Sequence, residues 1–197
     1  MQENEEIWLG RAKLGDQAAF GNLVEMYQDA VFNLCFRMLG DPYEAEDAAQ
    51  ESFLRAHKAM HRYDSSRPFS TWLLSIAAHH SIDRIRRRKF TKVSMDAMPY
   101  EFISDPSPGP EASLSASEQQ DRVQELLDSL NPTDRAAVVM YYWYELSYNE
   151  IAESLGLTNS AVKSRLHRAR RTLAESWKND TAENFAAEKN HHESPAF

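Results

Sequence analysis

Apolar residues recur at helical spacing through Phe20, Leu23, Val24, Tyr27, Val31, Leu34, Cys35 and Met38. The pattern predicts an amphipathic helix over 16–39 with Asp16 as its N-cap, and Gly40-Asp41-Pro42 ends it. A second helix is expected from about Tyr43 to Met60, where Ala45, Ala48, Ala49 and Ala56 mark a narrow packing face beside an acidic first half. Tyr63 to Pro68 has loop composition. A third helix, from about Ser70 to Lys89, turns Trp72, Leu73, Ile76 and Ala77 inward and ends in the basic run Arg84 to Lys89. These elements make a first helical domain over residues 1–92.

Periodicity then fails. Residues 93–119 contain Pro99, Pro106, Pro108, Pro110 and repeated serines, a composition that buries too little surface to fold alone and predicts a flexible linker. A second domain over 120–178 resumes with Val123, Leu126, Leu127 and Leu130, followed by a helix with Asn131 as N-cap and Pro132 in its first turn. Next comes a short helix opened by Ser147 or Tyr148, with Ile151, Ala152 and Leu155 on its inner face. Gly156 provides the turn, and a second helix begins near Thr158 or Asn159. This is the pattern of a helix-turn-helix. Residues 179–197 are expected to be a disordered tail. The fold class predicted is all-α, two small domains joined by a linker.

Charge changes the picture because it is unevenly placed. The formal net charge is −8, yet residues 1–92 balance, 93–133 carry net −7, and 134–178 carry net +2. An acidic total therefore does not argue against a polyanionic partner. In the last predicted helix Val162 and Leu166 pack inward while Lys163, Ser164, His167 and Arg168 point away, as a helix in a DNA major groove requires. A charge run alone would fit a solvated face; the turn glycine and the two inward aliphatics make it a recognition helix. Arg170 and Arg171, later in the helix, suit phosphates.

Other chemistry is scarce. One cysteine, Cys35, excludes an internal disulfide and a Cys-only zinc site, and fits a reducing compartment. His191 and His192 lack further spaced ligands, so no metal is expected, nor any cofactor. No phosphate loop or nucleophile–base signature marks an enzyme, so no catalytic residue is expected. No run approaches the roughly 20 apolar residues of a membrane helix, and no signal peptide core is present, which predicts a cytoplasmic protein without direct membrane insertion.

The segments "GDQAAFGNLVEMY", "EAEDAAQESFLRAH", "FSTWLLSIAAHHSIDRIRRRK" and the helix-turn-helix, in that order across a Pro/Ser linker, resemble the extracytoplasmic-function sigma factors of bacterial RNA polymerase, most closely the Gram-positive envelope-stress type. The resemblance covers about residues 10–178. It implies that the second helix docks on the clamp helices of the polymerase's largest subunit through Asp47, Gln50, Glu51 and Phe53. From the residues alone, that acidic stretch could equally serve the helix dipole. It implies further that the loop 63–69 and the helix after it read and melt the minus-ten promoter element as single strand, through Tyr63, Phe69, His79, Arg84, Arg86, Arg87 and Lys89. His79 stands where many relatives carry asparagine. Lys163, Ser164, Arg165, His167, Arg168 and Arg171 would read the minus-thirty-five element as duplex.

The implied partners are the RNA polymerase core, including the flap of its second-largest subunit, promoter DNA, and an anti-sigma factor that could be membrane-anchored. The acidic linker would thread basic channels of the polymerase. A helix-turn-helix regulator acting without polymerase explains the second domain equally well, but leaves the first without a role.

Overall fold

A computed structural model describes the backbone of residues 2–95 and 111–192, and the side chains of 4–88 and 119–178. Among these residues every regular element is helical: α1 (Gln2–Lys13), α2 (Gln17–Leu39), α3 (Pro42–Ala59), α4 (Phe69–Met95), α5 (Glu111–Asp128), α6 (Pro132–Trp143), α7 (Tyr148–Leu155) and α8 (Asn159–His192), with one 3₁₀ turn at Met60–Arg62. The first four helices pack together as one domain and the last four as another.

Side-chain caps set the helix starts, Asp16 and Asn131 as predicted and Asp41 in addition. Asp16 accepts the Ala19 N–H at 3.1 Å, Asp41 accepts Glu44 N–H at 2.8 Å, and Asn131 accepts Asp134 N–H at 3.0 Å. Each closes an amide that the helix itself leaves unpaired. Arg11 and the amide bonds hold the Asp16 carboxyl below its ordinary range, the amide being the larger cause. Ser147 and Glu150 form a reciprocal capping box on α7. Helix α2 is the spine of the first domain, its Leu23, Val31, Leu34, Cys35 and Met38 almost wholly buried against α3 and α4. Burial pushes the Cys35 thiol up to about 11.

Three features differ from the sequence-based expectation. Helix α1 precedes the predicted first helix; it lays Trp8, Leu9 and Ala12 on the core and its Glu5 accepts a 2.6 Å hydrogen bond from the Tyr27 hydroxyl. Helix α5 begins at Glu111, inside the predicted linker, and α4 runs to Met95; residues 96–110 of that linker lie outside the described residues. Of the tail expected to be disordered, the backbone of 179–192 continues α8 as helix, and 193–197 lie outside the described residues.

The two domains meet at the end of α2, whose last four carbonyls are all satisfied. Gly40 N–H reaches Phe36 O at 2.8 Å, and Arg88 of α4 reaches Leu39 O at 3.5 Å. The other two donors come from the second domain: Gln124 of α5 to Arg37 O at 3.4 Å and Arg135 of α6 to Met38 O at 2.6 Å. Arg135 is only 6% exposed and also pairs with Asp128 at 2.6 Å. Guanidinium groups suit this end of a helix, where the carbonyl dipoles point outward. Gly40 adopts φ +77°, so the backbone calls for glycine, and a Cβ there would lie 3.1 Å from the Gln124 amide nitrogen and push that side chain aside.

Candidate nucleic-acid interface

Helices α7 and α8 are joined by a turn in which Gly156 has φ 63° and Leu157 N–H returns to Ala152 O at 2.8 Å. The buried Val162, Leu166 and Ala169 anchor α8 against α6 and α7. Its opposite face is therefore fixed in direction: Lys163, Ser164, His167, Arg168 and Arg171 are all exposed. Thr158 caps the start, accepting Ala161 N–H at 3.2 Å. A rigid helix with an outward polar face of donors is what a major groove accepts.

Arg165 departs from the expected duplex-reading set. It turns back to Asp134 of α6 at 2.7 Å, and Asp134 is itself 4% exposed and held by the Asn131 amide at 2.6 Å. A buried carboxylate demands a cation, so Arg165 is committed to the fold. Arg170 is exposed, and its Nε donates to the Tyr142 hydroxyl at 2.9 Å.

In the first domain Tyr63 and Phe69 also depart from expectation. They are 4% and 2% exposed and pack with Trp72 as an aromatic cluster, ring centroids 5.2–5.6 Å apart, beneath the loop rather than on it. The Tyr63 hydroxyl donates to Arg67 O at 2.5 Å, and Asp64 accepts Ser66 N–H at 3.0 Å, so the cluster and this turn shape the loop from below. The outward surface of the loop is Asp64, Ser65, Ser66, Arg67 and Pro68, beside the half-buried Trp72. His79 is exposed; its Nδ1 lies 2.8 Å from the Ser75 carbonyl, which can only accept, so Nδ1 carries a proton and, in the neutral ring, Nε2 is the acceptor.

The basic end of α4 is divided. Arg86 and Arg87 are exposed, but Arg84 turns toward α3, 3.5 Å from Glu44 and 4.0 Å from Asp47, and Arg88 also pairs with Glu44. Arg84 thus corrects the expected phosphate set: it joins α4 to α3. The Lys89 side chain lies outside the described residues.

On α3, Asp47 and Gln50 are exposed, Glu51 is held by Arg55 at 2.7 Å, and Phe53 is half-buried against the core. Two residues absent from the expected set complete the outward stripe: Tyr43, 81% exposed, and Leu54, 55% exposed. Spacings of four, three and four put Tyr43, Asp47, Gln50 and Leu54 on one line, and that register was the available signal.

Residues 23–91 match the family model for Sigma-70 region 2, and residues 120–173 match that for Sigma-70, region 4. The chain is also 38% identical over 172 residues to the ECF RNA polymerase sigma factor SigW of Bacillus subtilis (strain 168), covering 83% of this chain and 91% of SigW. The chain belongs to the extracytoplasmic-function sigma factors of RNA polymerase. This sigma factor directs transcription initiation, and the two matched regions fall one in each helical domain. It is 37% identical to SigE of Mycolicibacterium smegmatis (strain ATCC 700084 / mc(2)155) over 81% of its own length and 63% of SigE. The solved structure of CnrH in complex with the cytosolic domain of CnrY superposes with a TM-score of 0.66 at 26% identity, covering 90% of the sigma factor and 99% of CnrH. Among the described residues no helix is long and apolar enough to cross a membrane, and no cluster of His, Cys, Asp and Glu could hold a metal ion.

Proposed function

We propose that this sigma factor docks on the polymerase core through the α3 stripe and divides promoter reading between two chemistries, duplex recognition by α8 and strand capture by the loop before α4. The observation that carries the division is the outward face of α8: Lys163, Ser164, His167 and Arg168 reach solvent from a helix whose other side is locked by Val162 and Leu166. Such donors hydrogen-bond base edges without unpairing them. The loop and α4 offer a different inventory. Arg67, the Trp72 edge and the His79 acceptor suit an unstacked base, and Arg86 and Arg87 suit its phosphates. The Tyr63–Phe69 cluster acts from beneath by fixing the loop.

The kinship with SigW supports a stress regulon. The CnrH complex, formed with a cytosolic domain, supports a cytoplasmic protein restrained by an anti-sigma partner. Mapping transcript starts made by core polymerase plus this protein tests the whole reading. The expected result is one pair of promoter elements shared by all starts. Specific promoter binding by the chain alone, with no change on adding core, would instead mark a regulator that works without polymerase.

A further inference from the structure

The loop before α4 has a second flank, away from His79 and the basic end of α4. Helix α1 packs on the 3₁₀ turn Met60–Arg62, which places the α1–α2 turn beside the loop. Lys13 joins the two: its ammonium donates to the Ser65 hydroxyl at 3.3 Å and lies 5.4 Å over the Tyr63 ring. His61 and Arg62 are exposed on the 3₁₀ turn, with exposed Lys58 one turn earlier. Among the described residues neither His61 nor Arg62 makes a side-chain hydrogen bond or an ion pair. Carboxylates in the neighbourhood are engaged, Asp16 with Arg11 at 2.6 Å and Asp64 with the Ser66 amide at 3.0 Å.

An aliphatic side chain completes this surface. Leu14 is 90% exposed. A tight turn holds it there, with Leu14 N–H on Arg11 O at 3.0 Å, Gly15 N–H on Ala12 O at 3.0 Å and Asp16 N–H on Arg11 O at 3.1 Å, while Gly15 takes φ 91°. The dipole of α3 accounts for cations at its C-terminal end, but not for Lys13 on another helix or for a leucine fixed in water next to it. Each nucleotide of an unpaired strand offers a flat base face and an anionic phosphate, and single-strand sites match them with apolar side chains and cations. Leucine is among the side chains that lie against unstacked bases.

We propose that Lys13, Leu14, His61 and Arg62 form a second single-strand subsite, which takes the nucleotides immediately downstream of those held by the loop. Lys13 and Arg62 meet phosphates, and a base lies on Leu14. The direction follows from the chain: α4 leads from the loop toward the domain that reads the upstream element, so a strand crossing from α4 over the loop reaches the α1–α2 turn on its downstream side. The subsite lengthens the unpaired strand that the sigma factor holds and so stabilises the open promoter. The inference rests on the assignment of the loop and α4 as the strand site.

The test uses polymerase core carrying the full-length sigma factor on two fork-junction promoters. In the short fork the unpaired strand ends with the minus-ten element; in the long fork it continues for about six nucleotides, within the span of a single-strand site. The lifetime of each complex after a heparin challenge is read as a function of salt. Wild type is expected to live longer on the long fork. Leu14→Ser should shorten that lifetime roughly fivefold, the factor for half-burying a leucine side chain, with the salt slope unchanged. Arg62→Gln should shorten it too and lower the salt slope by about 0.7, the counterion share of one phosphate on a single strand. Both side chains are exposed, so both variants should fold, and on the short fork both should match wild type. Variants that live as long as wild type on the long fork overturn the subsite. A defect that persists undiminished on the short fork overturns it as well, because it sets these residues against polymerase rather than DNA. The strand-site assignment is read separately from His79→Ala, which should shorten the lifetime on both forks; a normal lifetime on both refutes the strand site itself.

Discussion

Arg165 is the residue for which sequence pattern and structure make opposite forecasts. If it read DNA, Arg165→Ala would leave the fold intact and relax discrimination at the upstream element. Its 2.7 Å bond to Asp134 forecasts a folding defect instead. Removing one partner of a fully buried ion pair costs about 3–5 kcal/mol. Here the Arg165 side chain is 27% exposed, and Asp134 keeps the Asn131 amide at 2.6 Å, so part of the charge stays solvated or bonded. A loss of about 2 kcal/mol is the corresponding figure, which lowers the Tm of a small domain by roughly 8–16 °C. The second half of the test is a double-mutant cycle with Arg165→Met and Asp134→Asn. Removing both charges leaves no orphan, so the pair should recover at least about 1 kcal/mol relative to the sum of the single changes. Thermal melting by circular dichroism reads both numbers, and anisotropy on the upstream duplex at 15 °C reads affinity where every variant is folded. Wild-type melting with lost discrimination for Arg165→Ala, or a cycle that is additive within error, would refute the structural role.

Three further outcomes are expected. His79→Ala should form the closed promoter complex yet open it poorly, and a pre-melted template should rescue it, whereas Arg168→Ala should lose upstream recognition and gain nothing from pre-melting; permanganate reactivity separates the two, and equal rescue of both would contradict the division. Cys35, buried with its thiol pushed up to about 11, should resist a disulfide-exchange reagent at pH 8 and react stoichiometrically in denaturant, so rapid native labelling would show that the packing of α2 on α4 opens readily. Glu145 holds a left-handed φ of 53° between α6 and α7, and Glu145→Gly should raise stability by up to about 1 kcal/mol, relief of backbone strain exceeding the added chain entropy; a lower Tm would count against that balance.

Much of the fold is legible because its helices carry their own start signals. Asp16, Asn131 and Ser147 each precede an apolar repeat and each caps the helix that follows. Helix α1 is not legible, since its apolar residues Ile7, Trp8 and Leu9 are adjacent rather than spaced, and only contact with the rest of the domain buries Trp8 and Leu9 while Ile7 stays exposed. The start of α5 was masked by the Pro/Ser composition before Glu111. In the site, the outward residues of α8 follow from Val162 and Leu166, because fixing one side of a helix fixes the other. Arg84 and Arg165 depart from the sequence-based expectation for a common reason. Their partners Glu44 and Asp134 are distant in sequence, and no local pattern separates an arginine that will be neutralised in the fold from one left for a ligand. Tyr63 and Phe69 show the same limit for aromatics: the residue types of a base pocket are also those of a core.

The junction at the end of α2 has a genetic asymmetry built into it. What Gln124 and Arg135 recognise in the first domain is not a side chain but main-chain oxygen, the carbonyls of Arg37 and Met38. Substitutions at 37 and 38 leave those oxygens in place so long as the helix persists, so the acceptors of the junction do not depend on side-chain identity, even though Met38 is fixed by the core and Arg37 by its contact with Trp143. The donor side has no such latitude. Suppressor screens at this junction should therefore be lopsided, with lesions at Arg135 rarely corrected by side-chain changes in the first domain and more often by new donors within α5 or α6.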